Sequence, residues 1–166
     1  SQFNVPEGVA VSSGFVYVSD VNNHRIAKFN TNGQFVTKWG ATGDGQGQFK
    51  GPHGVAVDSG NNVYVSDFLN NKIQKFTSTG GFITSWGSSG SADGQFNAPH
   101  GIAVDSDNSV YVSDRGNNRV QKFNNAGGFL TKFGSACTIQ PCPKDGQFNG
   151  PDGIGISSSG SVYVTD

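Results

Sequence analysis

The chain has 166 residues, 34% hydrophobic, 14% charged and 11% aromatic, with 25 glycines, a mean hydropathy of -0.38 and a formal charge of -1. The charged fraction is well below the roughly 25% usual for soluble domains, and this balance argues for many short strands joined by tight turns and against long helices. A formal charge of -1 lacks the basic footprint that phosphate neutralisation needs, which speaks against a nucleic-acid partner, and no apolar run is long enough to span a membrane.

The chain contains no Met and opens inside a repeated unit, so it is expected to be a processed product or a portion of a longer protein. That unit begins Gln2-Phe3-Asn4-Val5-Pro6-Glu7-Gly8 and returns at Gln48 to Gly54, Gln95 to Gly101 and Gln147 to Gly153. Its phenylalanines, Phe3, Phe49, Phe96 and Phe148, are 46, 47 and 52 residues apart, a period that marks solenoids, propellers or arrays. The repeats occupy residues 2–47, 48–94, 95–146 and, as a half repeat, 147–166.

Each full repeat carries four short apolar segments separated by Gly, Asn, Ser and Asp clusters, the signature of strands and turns. The first repeat has strands predicted at Val16–Ser19, Arg25–Phe29 and Phe35–Trp39 after its Val-Ala-Val inner segment. The second has Gly54–Val57, Val63–Ser66, Lys72–Phe76 and Phe82–Trp86. The third follows with Val110–Ser113, Arg119–Phe123 and Phe129–Phe133, and the last with Val162–Thr165. Asp58-Ser59-Gly60-Asn61-Asn62 and Thr77-Ser78-Thr79-Gly80 read as hairpin turns, since they contain residues that tolerate positive φ. Four antiparallel strands make one small twisted sheet. Its first strand is poor in bulk and suits a crowded axis, while Trp39, Trp86 and Phe133 on the fourth suit a wide rim. The predicted fold is therefore all-β, a β-propeller of four-stranded antiparallel blades with about three and a half blades present and the ring incomplete.

Strand direction locates a candidate site. The residue just before each inner strand and the loop between the second and third strands share one face, so Glu7, His53, His100 and Asp152 are expected around the channel mouth. Two imidazoles flanked by carboxylates could hold zinc or another divalent ion. The loops on that face differ between repeats: His24 in the first, Phe68 and Leu69 in the second, Arg115 in the third. Apolar residues in such a loop suit a peptide, glycan or protein ligand, or else pack sideways on a neighbouring loop. Asp20, Asp67, Asp114 and Asp166 recur after every second strand, which argues for scaffolding by hydrogen bonds to the following Asn-Asn turn or to Arg25, Lys72 or Arg119. The recurring Tyr17, Tyr64, Tyr111 and Tyr163 suit packing between blades. Cys137 and Cys142 stand five apart in an extended loop. They read as a local disulfide, with an unpaired reduced couple or two metal ligands as the alternatives; a disulfide would imply an oxidising compartment.

The run of Pro-x-Gly-Ile/Val-Ala-Val-Asp, Val-Tyr-Val-Ser-Asp, Asn-Asn-Arg/Lys-Ile/Val-Gln-Lys-Phe and Gly-x-Phe-Thr-Lys/Ser-Trp-Gly resembles the NHL-repeat family of β-propellers over essentially the whole chain. The resemblance implies six-bladed closure, on the order of 280 residues at this period, and hence flanks completed by another copy of the chain or by the rest of a longer propeller. The chain is also similar to the peptidyl-hydroxyglycine amidating lyases, NHL-type enzymes in which histidines before inner strands bind catalytic zinc. That carry-over reaches His53 and His100; Glu7 and Asp152 stand where a third histidine would be sought. The leading expectation is a non-enzymatic binding or assembly scaffold at an extracellular or cell-surface location. The alternative is a zinc-dependent lyase- or hydrolase-type enzyme with its site at the mouth. RNA binding would need basic residues massed on the mouth face, where the sequence offers Arg115 and Arg119.

Overall fold

The computed structural model describes residues 2–137, 142 and 144–166. Among them are three four-stranded antiparallel sheets, each ordered as the chain runs. The first comprises β1 (Pro6–Ser12), β2 (Phe15–Asp20), β3 (Arg25–Asn30) and β4 (Phe35–Trp39). The second comprises β5 (Pro52–Val57), β6 (Val63–Asp67), β7 (Lys72–Phe76) and β8 (Phe82–Trp86). The third comprises β9 (Pro99–Val104), β10 (Val110–Asp114), β11 (Arg119–Phe123) and β12 (Phe129–Phe133). A short parallel pair, β13 (Ser135–Ala136) and β14 (Gln147–Phe148), leads to a two-stranded sheet of β15 (Ile154–Ile156) and β16 (Val162–Val164). These are propeller blades in an arc that does not close on itself.

The core lies between sheets, because β5, β6 and β7 in the middle of the arc are covered on both faces. Tyr17 and Ile26 of the first blade meet Phe49, Val55, Val63, Val65 and Phe76 of the second. Ile73 and Tyr64 of the second meet Phe96, Ile102, Val112 and Phe123 of the third. The outer rim closes by a repeated contact: Trp39 lies over Gly80 and Trp86 over Gly127, so close that a Cβ on either glycine would strike the indole. Both glycines also have positive φ, +91° and +90°, at hairpin tips. Lys28 Nζ donates to Ser78 O at 2.9 Å and Lys75 Nζ to Asn125 O at 3.0 Å, tying each third strand to the next blade's hairpin. The Tyr64 hydroxyl, which donates to Asp58 Oδ2 at 2.8 Å, faces the same hairpin carbonyl, Asn125 O, at 3.5 Å.

The third and fourth strands of the second and third blades fall where the sequence put them. The inner strands do not. They begin at Pro52 and Pro99 rather than at Gly54 and its counterpart, because the proline residue already pairs with Asp67 or Asp114 across an irregular register. The last strand stops at Val164, one residue short of expectation.

Candidate functional site

The irregular register at the head of each inner strand is a β-bulge, and it carries the residue of interest. Pro52 pairs with Asp67 and Val55 with Val65, which leaves His53 and Gly54 out of the regular ladder and turns His53 toward the channel mouth. The same break occurs between Pro6 and Val9. A second-strand serine then sets the spacing from blade to blade. Ser66 Oγ accepts the Gly54 N–H at 2.7 Å and donates to the carbonyl of His100 in the next blade. Ser19 does the same for Gly8 and His53, and Ser113 for Gly101 and Asp152. The glycine is required by this approach, since a Cβ at Gly54 would run into the His100 carbonyl. Sequence reasoning missed these serines. Their signal was the Ser that ends every Val-Tyr-Val-Ser segment.

This clamp brings Glu7, His53, His100 and Asp152 together on the rim of a cavity of about 380 Å³, walled by the inner strands. His53 Nδ1 lies against Glu7 Oε2 and 2.9 Å from His100 Nε2. His100 Nε2 is 3.6 Å from Glu7 Oε2, and its Nδ1 is 2.9 Å from Asp152 Oδ1. Arg115 Nε stands 3.6 Å from the same Asp152 oxygen. The four blades are thus linked at the mouth by one chain of titratable groups. Burial, and then the neighbouring His53, push His100 below the usual imidazole value; Asp152 and Glu7 pull the other way, and Arg115 adds to the lowering. A neutral imidazole is the form that offers a nitrogen lone pair to a metal or an acceptor to a ligand.

The donor set fits a divalent cation. One atom each from Glu7, His53 and His100 lies within 4.8 Å of the others, and two imidazole nitrogens with one carboxylate oxygen suit zinc. Asp152 faces the remaining nitrogen of His100, the place from which an outer carboxylate orients a ligating imidazole.

The loops of the mouth face play unequal parts. Phe68 stacks on His53 with ring centroids 4.5 Å apart and meets His100 edge-on at 6.0 Å, so it forms an apolar wall of the histidine pair. Leu69 beside it is exposed. His24 holds the linker of the next blade in place, since its Nδ1 accepts the Gly51 N–H at 3.3 Å, as Asn71 Oδ1 accepts from Ala98 and Asn118 Oδ1 from Gly150.

The repeated aspartates are scaffold. Asp67 accepts from Lys50 N at 2.8 Å, Asn70 Nδ2 at 2.8 Å and Gln74 Nε2 at 3.0 Å, stitching linker, loop and third strand to the second strand. Asp114 is held in the same way by Asn97, Asn117, Arg119 and Gln121. One expected partner differs: Lys72 Nζ donates to the carbonyls of Asp44 and Gly45 and not to Asp67, whereas the longer, forked Arg119 at the same place reaches Asp114 alongside Gln121. Cys137 and Cys142 are joined in a disulfide with Cα atoms 5.4 Å apart; residues 138–141 of that loop lie outside the described ones.

Comparison with known proteins agrees with this architecture. The chain matches the NHL repeat at residues 3–29, 49–76 and 96–123. It is 44% identical over 64 residues to peptidylglycine alpha-amidating monooxygenase of Rattus norvegicus, an alignment covering 34% of this chain and 7% of the rat protein. It is 40% identical over 56 residues to RING finger protein nhl-1 of Caenorhabditis elegans, covering 33% of this chain and 6% of that protein. Among solved structures, virginiamycin B lyase from Staphylococcus aureus superposes with a TM-score of 0.68 at 20% identity, over 96% of this chain and 48% of the lyase. A Bacteroides thetaiotaomicron protein of unknown function gives 0.77 at 20% identity, over 97% and 44%. The chain therefore spans under half of these solved chains and under a tenth of the two full-length relatives, and at such identities the structural likeness speaks for the fold alone. Three matched repeats, each running from a linker phenylalanine through a bulged inner strand to a third-strand phenylalanine, place the chain in the NHL-repeat family of β-propellers.

Proposed function

We propose that this chain is a non-enzymatic propeller scaffold that binds a protein, peptide or glycan on its mouth face and whose flanks are covered by further blades. The observation that carries this reading is the bare flank of the first blade. Val9 and Val11 lie 65% and 66% exposed on β1, whereas Val55 at the place of Val9 is 6% exposed under the neighbouring blade. Apolar strand faces of this kind ask for a cover, and the cover that fits is another blade, from a second copy or from the rest of a longer propeller. Sedimentation velocity of the 17.4 kDa chain tests it. Association that Val9→Asp and Val11→Asp weaken is the outcome expected of a second copy; a concentration-independent monomer, unchanged by both substitutions, would exclude a second copy as the cover. The disulfide favours an oxidising, extracellular or cell-surface setting.

A second reading has its own support in the Glu7, His53 and His100 cluster. A divalent ion held there would polarise a bound carbonyl or water, making the mouth a lyase- or hydrolase-type centre. Under it, His53 and His100 would supply nitrogens, Glu7 an oxygen, Asp152 would orient His100, and Phe68 would exclude water from one side. Elemental analysis with and without His53→Ala separates the two. One zinc per chain, lost in the variant, speaks for the metal centre, and absence of metal after zinc loading speaks for the scaffold.

A further inference from the structure

One position on the mouth face holds each following linker in the same way, but with two kinds of side chain. The residue that ends the turn between second and third strands is His24, Asn71 or Asn118, in left-handed backbone at φ 50°, 52° and 53°. From there it accepts a linker N–H of the next blade: His24 Nδ1 from Gly51 at 3.3 Å, Asn71 Oδ1 from Ala98 at 2.8 Å and Asn118 Oδ1 from Gly150 at 2.8 Å. An amide oxygen accepts at any ordinary pH. An imidazole nitrogen accepts only while it keeps its lone pair, and in the protonated ring both nitrogens are donors.

The linker that His24 holds carries much of the mouth. Gly51 leads through Pro52 to the bulged His53. The Phe68 and Leu69 loop hangs on the same segment, since Phe68 N–H donates to Gly51 O at 3.0 Å and Leu69 N–H to Lys50 O at 3.1 Å. Lys50 N–H in turn donates to Asp67 at 2.8 Å. These bonds stay within the second blade, whereas the His24 bond crosses to it from the first. The charged groups around His24 are turned to other partners: Arg25 to Asp20 at 2.7 Å, Lys50 to Asp44 at 3.8 Å, and His53 to Glu7. Lys38 is exposed, on the strand that leads to Gly40 beneath the His24 carbonyl. The carboxylates paired with imidazoles among the described residues go to His53 and His100, and none goes to His24. A proton arriving on Nδ1 therefore meets the Gly51 N–H and finds no anion to keep the ring in place.

We propose that His24 makes the joint between the first two mouth loops pH-sensitive: protonation of Nδ1 sets donor against donor, releases the Gly51 N–H and frees the Phe68 and Leu69 loop from the first blade. Imidazole is the side chain that changes charge between about pH 5 and 8. The junctions built with Asn71 and Asn118 hold across that range, so acid loosens one sector of the mouth and leaves the next two in place. The inference goes beyond the scaffold reading, because it needs neither a ligand nor a covered flank.

The test is amide hydrogen exchange of the whole chain, resolved at Gly51, Ala98 and Gly150 and run at about pH 8 and about pH 5. Intrinsic exchange scales with pH alike at all three, so the readout is protection at Gly51 relative to Ala98. That ratio should fall about threefold or more in acid, with Phe68 and Leu69 following Gly51 and Gly150 staying with Ala98. His24→Asn puts at this turn the side chain that the other two blades carry there, so it should fold as the parent does and hold the ratio constant. A ratio indifferent to pH in the parent, or a fall at Gly51 that leaves Phe68 and Leu69 unmoved, would overturn the proposal. So would a fall that persists in His24→Asn, by naming the nearby His53 and Glu7 pair as the titrating group.

Discussion

Phe49 and Phe3 hold the same place in successive repeats, each against a phenylalanine of its own third strand, at 5.6 and 5.7 Å. Phe49 is wholly buried and Phe3 is 40% exposed. The difference is the neighbour: Phe49 is roofed by the end of the first blade at Gly40, and Phe3 has no such roof among the described residues. The whole of β6 is buried, whereas in β2 burial is complete at Tyr17, Ser19 and Asp20. A blade of this fold is therefore not a unit with its own core. It is half of two cores, and the same residue is worth much or little according to which half is present.

Paired substitutions at matching positions measure that difference. The largest gap is expected between Phe49→Ala, at about 3–5 kcal/mol, and Phe3→Ala, at about 1 kcal/mol or less, by denaturant unfolding. Equal losses would show that the first blade's outer flank is covered in solution. Next comes Asp67→Ala, which orphans the Lys50 N–H and leaves the Asn70 and Gln74 amides with only their Gly43 and Gln48 carbonyl acceptors, and should cost about 3 kcal/mol. Asp166→Ala, releasing the Asn149 N–H, should cost under about 1 kcal/mol. Gly80→Ala forces a methyl into the Trp39 ring, whereas Gly33, at the matching tip with φ +80°, has open space around it. Both variants share the left-handed backbone cost, so their difference, about 2 kcal/mol in melting experiments, isolates the contact between blades. A difference near zero would mean that the rim is loosely packed.

The smallest effect is a pH dependence. Asp20 is pushed up by burial, but hydrogen bonds from Asn4, Asn23 and Arg25 outweigh this and hold it below its ordinary 3.8. Its ionised form is thus favoured by folding: the contribution is present above 3.8 and is lost as pH falls through the folded value. At Asp67 burial wins over the hydrogen bonds from Asn70, Lys50 and Gln74, and the carboxyl is raised. Its ionisation therefore works against stability as pH rises from 3.8 through the folded value. Stability curves of Asp20→Asn and Asp67→Asn should diverge from the parent with opposite slopes near pH 4. Parallel curves would show that the two sites titrate alike despite their different burial.

Much of this protein can be read from the residues alone, and the reason is that its strands are coded locally. Alternation, glycine at the turns and a period near 47 residues placed β7, β8, β11 and β12 at their observed ends. The direction of the inner strands was enough to collect Glu7, His53, His100 and Asp152 on one face. Other features depend on contacts between segments far apart in sequence. The pairing of Pro52 with Asp67 that lengthens β5 and bulges His53 outward has no local signal. Nor has the preference of Lys72 for loop carbonyls, or the bridging of adjacent blades by Ser19, Ser66 and Ser113. How near the four mouth residues come to one another depends on the angle between sheets. That angle is set by side chains packing across the gap, so only the assembled arc decided that two histidines and a glutamate converge.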